Sequence, residues 1–180
     1  MSEFEFLAVF VSIIFGISVT HILSGVMRSF YRGEYEETHL VFTLFLFLVL
    51  VLNWWTSFAW SAHEVWSFEL FIVIILWSVA HYVAAITLYP PLAYGIGKQF
   101  EYRRRWFLWA FIAVCLTDIL QAAAAGRALT PWYYLPFVLH YIALSVIAII
   151  LRQRTAYRLV AWYFLVSGTA WAFVVRRFLG

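Results

Sequence analysis

Three histidines at near-equal spacing and one aspartate set among apolar residues are the groups in this chain with chemistry to offer. His21, His81 and His140 stand 60 and 59 residues apart, in the contexts Thr-His-Ile-Leu, Ala-His-Tyr-Val and Leu-His-Tyr-Ile. Imidazoles in one layer could relay protons, ligate a metal or hold haem iron. The plainer alternative is three separate histidines, each bonded to a neighbouring helix. No carboxylate or thiol support lies beside them, so no metal site is expected and no cofactor is predicted. Haem ranks behind the other readings, since it needs a facing pair at equal depth. Asp118 and Gln121 share one helical face, and Asn53, Thr56 and Ser57 share another. A carboxylate inside apolar sequence is either a functional group or a hydrogen-bonded pin between two helices.

The elements that carry these residues follow from composition. Hydrophobic residues make up 66% of the 180, and charged residues 12%, about half the roughly 25% of a soluble domain. Such a chain cannot clothe a water-facing surface. Six apolar runs, at 4–27, 40–61, 66–89, 106–125, 132–151 and 157–175, each reach the roughly 20 residues that cross a bilayer as helix. None alternates with period two as a barrel strand does. The expected fold is therefore all-α: one domain over 1–180, a membrane bundle of six transmembrane helices. Pro90 and Pro91 close the third run, and Pro131 stands where a helix can begin. The first run is too long for a cleaved signal peptide and opens on Glu3 and Glu5 rather than on basic residues.

Charge sorts by loop. Arg28, Arg32, Lys98, Arg103, Arg104, Arg105, Arg152, Arg154 and Arg158 fall on one side, and Arg127, Arg176 and Arg177 on the other. The positive-inside rule places the first group in the cytoplasm and both termini on the outer, periplasmic side. Arg103, Arg104 and Arg105 then meet anionic lipid head groups rather than nucleic acid. Depth counted from helix ends puts the three histidines in the inner half and Asn53, Thr56, Ser57 and Asp118 in the outer half. His39 and His63 read as interfacial.

Helix one carries Ser12, Gly16, Thr20 and Ser24 at four-residue spacing, a stripe that lets another helix approach closely. No nucleotide loop, nucleophile elbow, metalloprotease helix or Cys-x-x-Cys is present, so an enzyme is not expected. The single cysteine, Cys115, lies within the fourth run. The opening Glu-Phe-Glu-Phe-Leu-Ala-Val-Phe-Val-Ser-Ile-Ile-Phe-Gly-Ile-Ser-Val-Thr-His-Ile-Leu, together with Arg-Arg-Arg-Trp-Phe at 103–107, resembles a group of small bacterial six-helix membrane proteins of unassigned function. The resemblance implies a bacterial inner membrane and no particular chemistry. The function expected is that of a non-enzymatic accessory or scaffold subunit, whose partners are the bilayer and other membrane subunits or itself. The alternative is a small channel or proton-coupled transporter using Asp118 and the histidine layer.

Overall fold

The computed structural model describes residues 2–63, 66–90 and 96–175, excepting the side chains of 96–102 and of Val175. Pro91, Glu64, Arg176 and Arg177 lie outside the described residues, as does the side chain of Lys98. The described elements are helical, and no strand occurs among them. They are α1 (Glu3–Tyr31), α2 (Glu37–Ser57) with a 3-10 turn (Phe58–Ala62), α3 (Phe68–Leu88), α4 (Ile96–Ala124), α5 (Tyr134–Leu151) and α6 (Arg154–Ala170) with a π-helical turn (Trp171–Val175).

Five stretches are long and apolar enough to cross a membrane: Glu3–Tyr31, Glu37–Ala62, Phe68–Leu88, Arg103–Ala124 and Tyr134–Leu151. They mark the chain as a membrane protein. The sixth run differs from expectation. α6 covers 17 residues and begins on Arg154, with Arg158 one turn later, so its apolar part is shorter than the other five. The fourth run also differs, because α4 starts at Ile96 and takes Arg103, Arg104 and Arg105 into the helix rather than leaving them in a loop. Hydropathy marks where lipid contact stops. Glu, Arg, Lys and Gln are good helix formers, and here the backbone continues through them.

Helix ends are satisfied locally. Ser2 and Glu5 form a reciprocal capping box at α1, with Ser2 N donating to Glu5 Oε2 at 2.8 Å and Glu5 N donating to Ser2 Oγ at 3.2 Å. Ser67 Oγ accepts from Leu70 N at the start of α3. Two residues past the end of α4 comes Gly126, whose φ of +69° costs glycine nothing. The following amide, Arg127 N, then donates to Ala122 O at 2.8 Å.

The helices close into a ring. α1 packs on α3, α3 on α4, α4 on α5, α5 on α6, α6 on α2, and α2 returns to α1. The seam of α1 is Leu7, Val11, Phe15, Ser18, Ile22, Gly25 and Ser29, all buried. Each is three or four residues from the next, which keeps one stripe facing its neighbours. The opposite face shows Phe6, Ile13, Ile17 and Leu23, apolar outside as lipid requires.

The ring has two unlike halves. One end, which we name for Arg104, is filled by Phe42, Phe45, Phe107, Phe111, Tyr141 and Phe164, each at most 5% exposed. Their rings meet edge-on or tilted at centroid separations such as 5.0 Å for Phe42–Phe107 and 4.7 Å for Tyr141–Phe164, the arrangement their quadrupoles favour. The other end, named for Trp60, is hollow.

The close approach between α1 and its neighbours is made at Gly25, not in the four-residue stripe. A Cβ at Gly25 would lie 2.2 Å from the Tyr89 ring, whereas a Cβ at Gly16 meets nothing within 4 Å. Gly25→Ala should therefore lower the thermal midpoint of the detergent-purified protein, at a cost of about 1–3 kcal/mol. Gly16→Ala should stay within about 0.5 kcal/mol of wild type. Equal effects at the two positions would contradict this packing.

Candidate functional site

The polar centre of the molecule is Asp118, in α4. Its carboxylate accepts three hydrogen bonds, each from a neutral donor: Trp77 Nε1 from α3 at 3.1 Å, Gln121 Nε2 from its own helix at 3.2 Å, and Tyr134 OH from α5 at 2.6 Å. Donors of this kind keep a carboxylate tolerable away from water. The four side chains thus join three helices.

A second chain of contacts leads away from Trp77. His81 is fully buried and bonds to the Trp77 carbonyl through Nδ1 at 2.7 Å. Its Nε2 lies 2.7 Å from Asn53 Nδ2. The Asn53 amide donates, so His81 Nε2 accepts and Nδ1 carries the proton, a tautomer inferred from these partners. The Phe15 and Trp77 rings pack on the imidazole at 5.2 and 5.0 Å.

Asn53, Trp77, Asp118, Gln121 and Tyr134 line a cavity of 210 Å³ in the hollow half of the ring. Its mouth is formed by Trp60, Arg127, Thr130, Pro131 and Trp171. The Arg127 guanidinium lies over the Trp60 ring, 4.6 Å from its centroid, a cation–π contact. A polar belt follows, made by Asn53, Thr56, Ser57, Asp118 and Gln121. The floor is apolar, with Phe45, Phe111 and Tyr141 closing it against the aromatic half. Chain direction produces this order: α2 and its 3-10 turn run up one wall while α5 runs down another.

The residues singled out from sequence are brought together only in part. Asp118, Gln121, Asn53, Thr56 and Ser57 do line one cavity. His81 is linked to that group through Asn53 rather than to the other histidines. His21 Nε2 instead donates to the Tyr89 carbonyl at 2.6 Å. His140 packs among Phe137, Tyr141 and Tyr163, and its Nε2 is buried with no partner. The three histidines thus have three separate environments. Among the described residues, no group of three or more His, Cys, Asp or Glu side chains is arranged to hold a metal.

Sequence reasoning missed His39. It is 1% exposed, and its Nε2 lies 3.0 Å from the Leu88 carbonyl, with the Tyr89 ring 4.5 Å away. Leu88 and Tyr89 end α3 before Pro90, and the last carbonyls of a helix have no partner within it. His21 from α1 and His39 from α2 supply those partners. Tyr89 adds a further tie through its hydroxyl, 3.0 Å from Thr43 Oγ1. The signal available in the sequence was the proline itself, because a helix stopped in apolar surroundings leaves carbonyls that need donors. Trp77 was likewise not singled out from sequence as a site residue, and it is the indole that serves Asp118.

Arg104 and Arg158 lie at the opposite end. Arg104 sits 4.1 Å from the centroid of the Tyr157 ring in α6. Glu37 takes Arg158 at 3.4 Å and the Trp162 indole at 3.0 Å. The stripe of α1 faces outward: Gly16, Thr20 and Ser24 are exposed, and Ser12 accepts from the Trp54 indole at 3.1 Å.

No protein-family model, curated protein or solved structure matches this chain. Any functional reading rests on the geometry above.

Tyr134→Phe removes the shortest bond to Asp118 without changing the shape of the ring. The expected loss is about 0.5–2 kcal/mol, the span of polar bonds between membrane helices. It should be read as a lower unfolding midpoint in detergent. An unchanged midpoint would mean that Tyr134 contributes nothing to holding the carboxylate.

Proposed function

We propose that this chain is a non-enzymatic multi-pass membrane protein that acts as an accessory subunit, docking through the outer face of α1 on a transmembrane helix of a partner. The observation that carries this reading is the orientation of the small-residue stripe. Gly16, Thr20 and Ser24 are exposed on the outside of the ring, whose packing uses Gly25, Ser18 and Ser29 instead, while Ser12 takes the Trp54 indole of α2. Gly16, Thr20 and Ser24 border a shallow groove on the outside of the bundle, with Ile13, Ile17 and His21. Small side chains at four-residue spacing let a second helix come close enough for backbone contact. The partner helix belongs either to another subunit or to a second copy of this chain.

In this reading the chain lies in a bacterial inner membrane, with both termini outside and six helices crossing. The excess of basic residues at the Arg104 end supports that orientation. Arg103, Arg104 and Arg105 then stand at the level of anionic lipid head groups.

The test is mild-detergent purification of wild type against Gly16→Ile and Thr20→Leu, both on the lipid-facing side of α1. The wild-type complex should dissociate, or its size shift to the monomer, in either variant, while the thermal midpoint holds. A wild-type protein that is a lone monomer in nanodiscs and in mild detergent would overturn the docking reading. Mass measurement distinguishes a second copy from a different subunit.

A second reading, proton-coupled transport, draws on Asp118 in its cavity. It predicts a pH-dependent flux in liposomes that Asp118→Asn abolishes, and a flux that survives the substitution would remove the role assigned to Asp118. The aromatic floor separates that cavity from the Arg104 end, so transport requires those rings to move. The accessory reading requires no such movement and is preferred.

A further inference from the structure

We propose that the cavity around Asp118 is a binding site for a small protonated amine with an apolar, preferably aromatic, body. The inference does not rest on docking through α1.

Three features of the cavity converge on this class of ligand. The first is unused acceptor capacity. A carboxylate offers about four acceptor positions, and Trp77, Gln121 and Tyr134 occupy three at Asp118. Beside it, Gln121 Oε1 is buried without a partner, because the amide has turned its NH₂ toward the carboxylate. An open position on Asp118 and an empty amide oxygen next to it suit a group that brings several N–H donors, as an ammonium does.

The second is charge. The three donors to Asp118 are neutral groups, so the hydrogen bonds disperse the carboxylate charge without cancelling it. Burial makes a matching cation more valuable than it would be in water. Arg127 lines the same cavity, yet it is exposed at the mouth with its guanidinium over Trp60. Solvent screens a charge in that position, and a ligand seated in the polar belt passes beneath it.

The third is shape. Below the belt the walls are rings and aliphatic chains, and a volume of 210 Å³ exceeds the about 150 Å³ that accepts benzene in an engineered cavity. A ring on the floor with a short chain rising to the belt places a terminal ammonium at the level of Asp118 and Gln121. Aromatic walls attract a cation as well as apolar surface. A neutral apolar ligand would leave both polar groups unserved, and an anion would face the carboxylate.

Phenethylamine and phenethyl alcohol are the probes, compared by calorimetry on the wild-type protein in nanodiscs at neutral pH. The two have nearly the same shape and differ in the charge of the end group. The amine should bind at least tenfold more tightly than the alcohol. Equal affinities, or no binding by the amine, would overturn the proposal, and this comparison needs no variant. Asp118→Asn, with its fold checked by circular dichroism, should lose the preference for the amine while retaining weak affinity for both. A folded Asp118→Asn protein that still selects the amine tenfold would also overturn it.

Discussion

A carboxylate in the second half of a helix apolar enough to cross a membrane must be satisfied by other parts of the same protein, and much of this structure answers that demand at Asp118. Water cannot serve as the default partner there. The donors come from α3, α4 and α5, so the carboxylate can be content only when those three helices stand in one register. Trp77 in turn ties its carbonyl to His81, and His81 ties to Asn53 of α2. One polar atom pair thereby sets the rotation of four helices. Apolar packing alone specifies this poorly, since lipid tails and leucine side chains are nearly equivalent neighbours.

The rest of the ring divides the work between filling and leaving space. Phenylalanines and Tyr141 fill the Arg104 half to near-zero exposure. The polar belt of Asn53, Thr56, Ser57, Asp118 and Gln121 lies in the other half. Among the described residues, Phe45, Phe111 and Tyr141 stand between that belt and the Arg104 end. The molecule carries a polar chamber resting on a dry floor, reached from the end where Trp60 and Arg127 meet.

Much of the architecture was legible in the chain. Helical runs show because lipid demands long apolar stretches, and the candidate site shows because polar residues are rare within them. The errors have physical causes. α4 reaches back to Ile96 because its polar residues favour helix as strongly as apolar ones do, while hydropathy detects only lipid contact. The division of polar residues into two layers failed at His81, which meets Asn53. The 3-10 turn Phe58–Ala62 carries the second span on past α2, so Asn53 stands well inside it, at the level of His81. The stripe on α1 was visible, but its direction was not. Gly25 lies on the packed side for a reason no spacing rule contains, the position of the Tyr89 ring.

The capping of α3 by His21 and His39 has a consequence in time. A ribosome delivers α1 and α2 first, so both imidazoles are already in the membrane when Leu88 and Tyr89 arrive. The end of α3 finds its donors waiting and never has to sit uncapped in lipid. Asp118 follows the same rule in part: Trp77 precedes it, Gln121 emerges with the next turn, and only Tyr134 comes later, sixteen residues on. Vectorial synthesis therefore leaves the costliest group in the chain incompletely served only for the interval between one helix and the next.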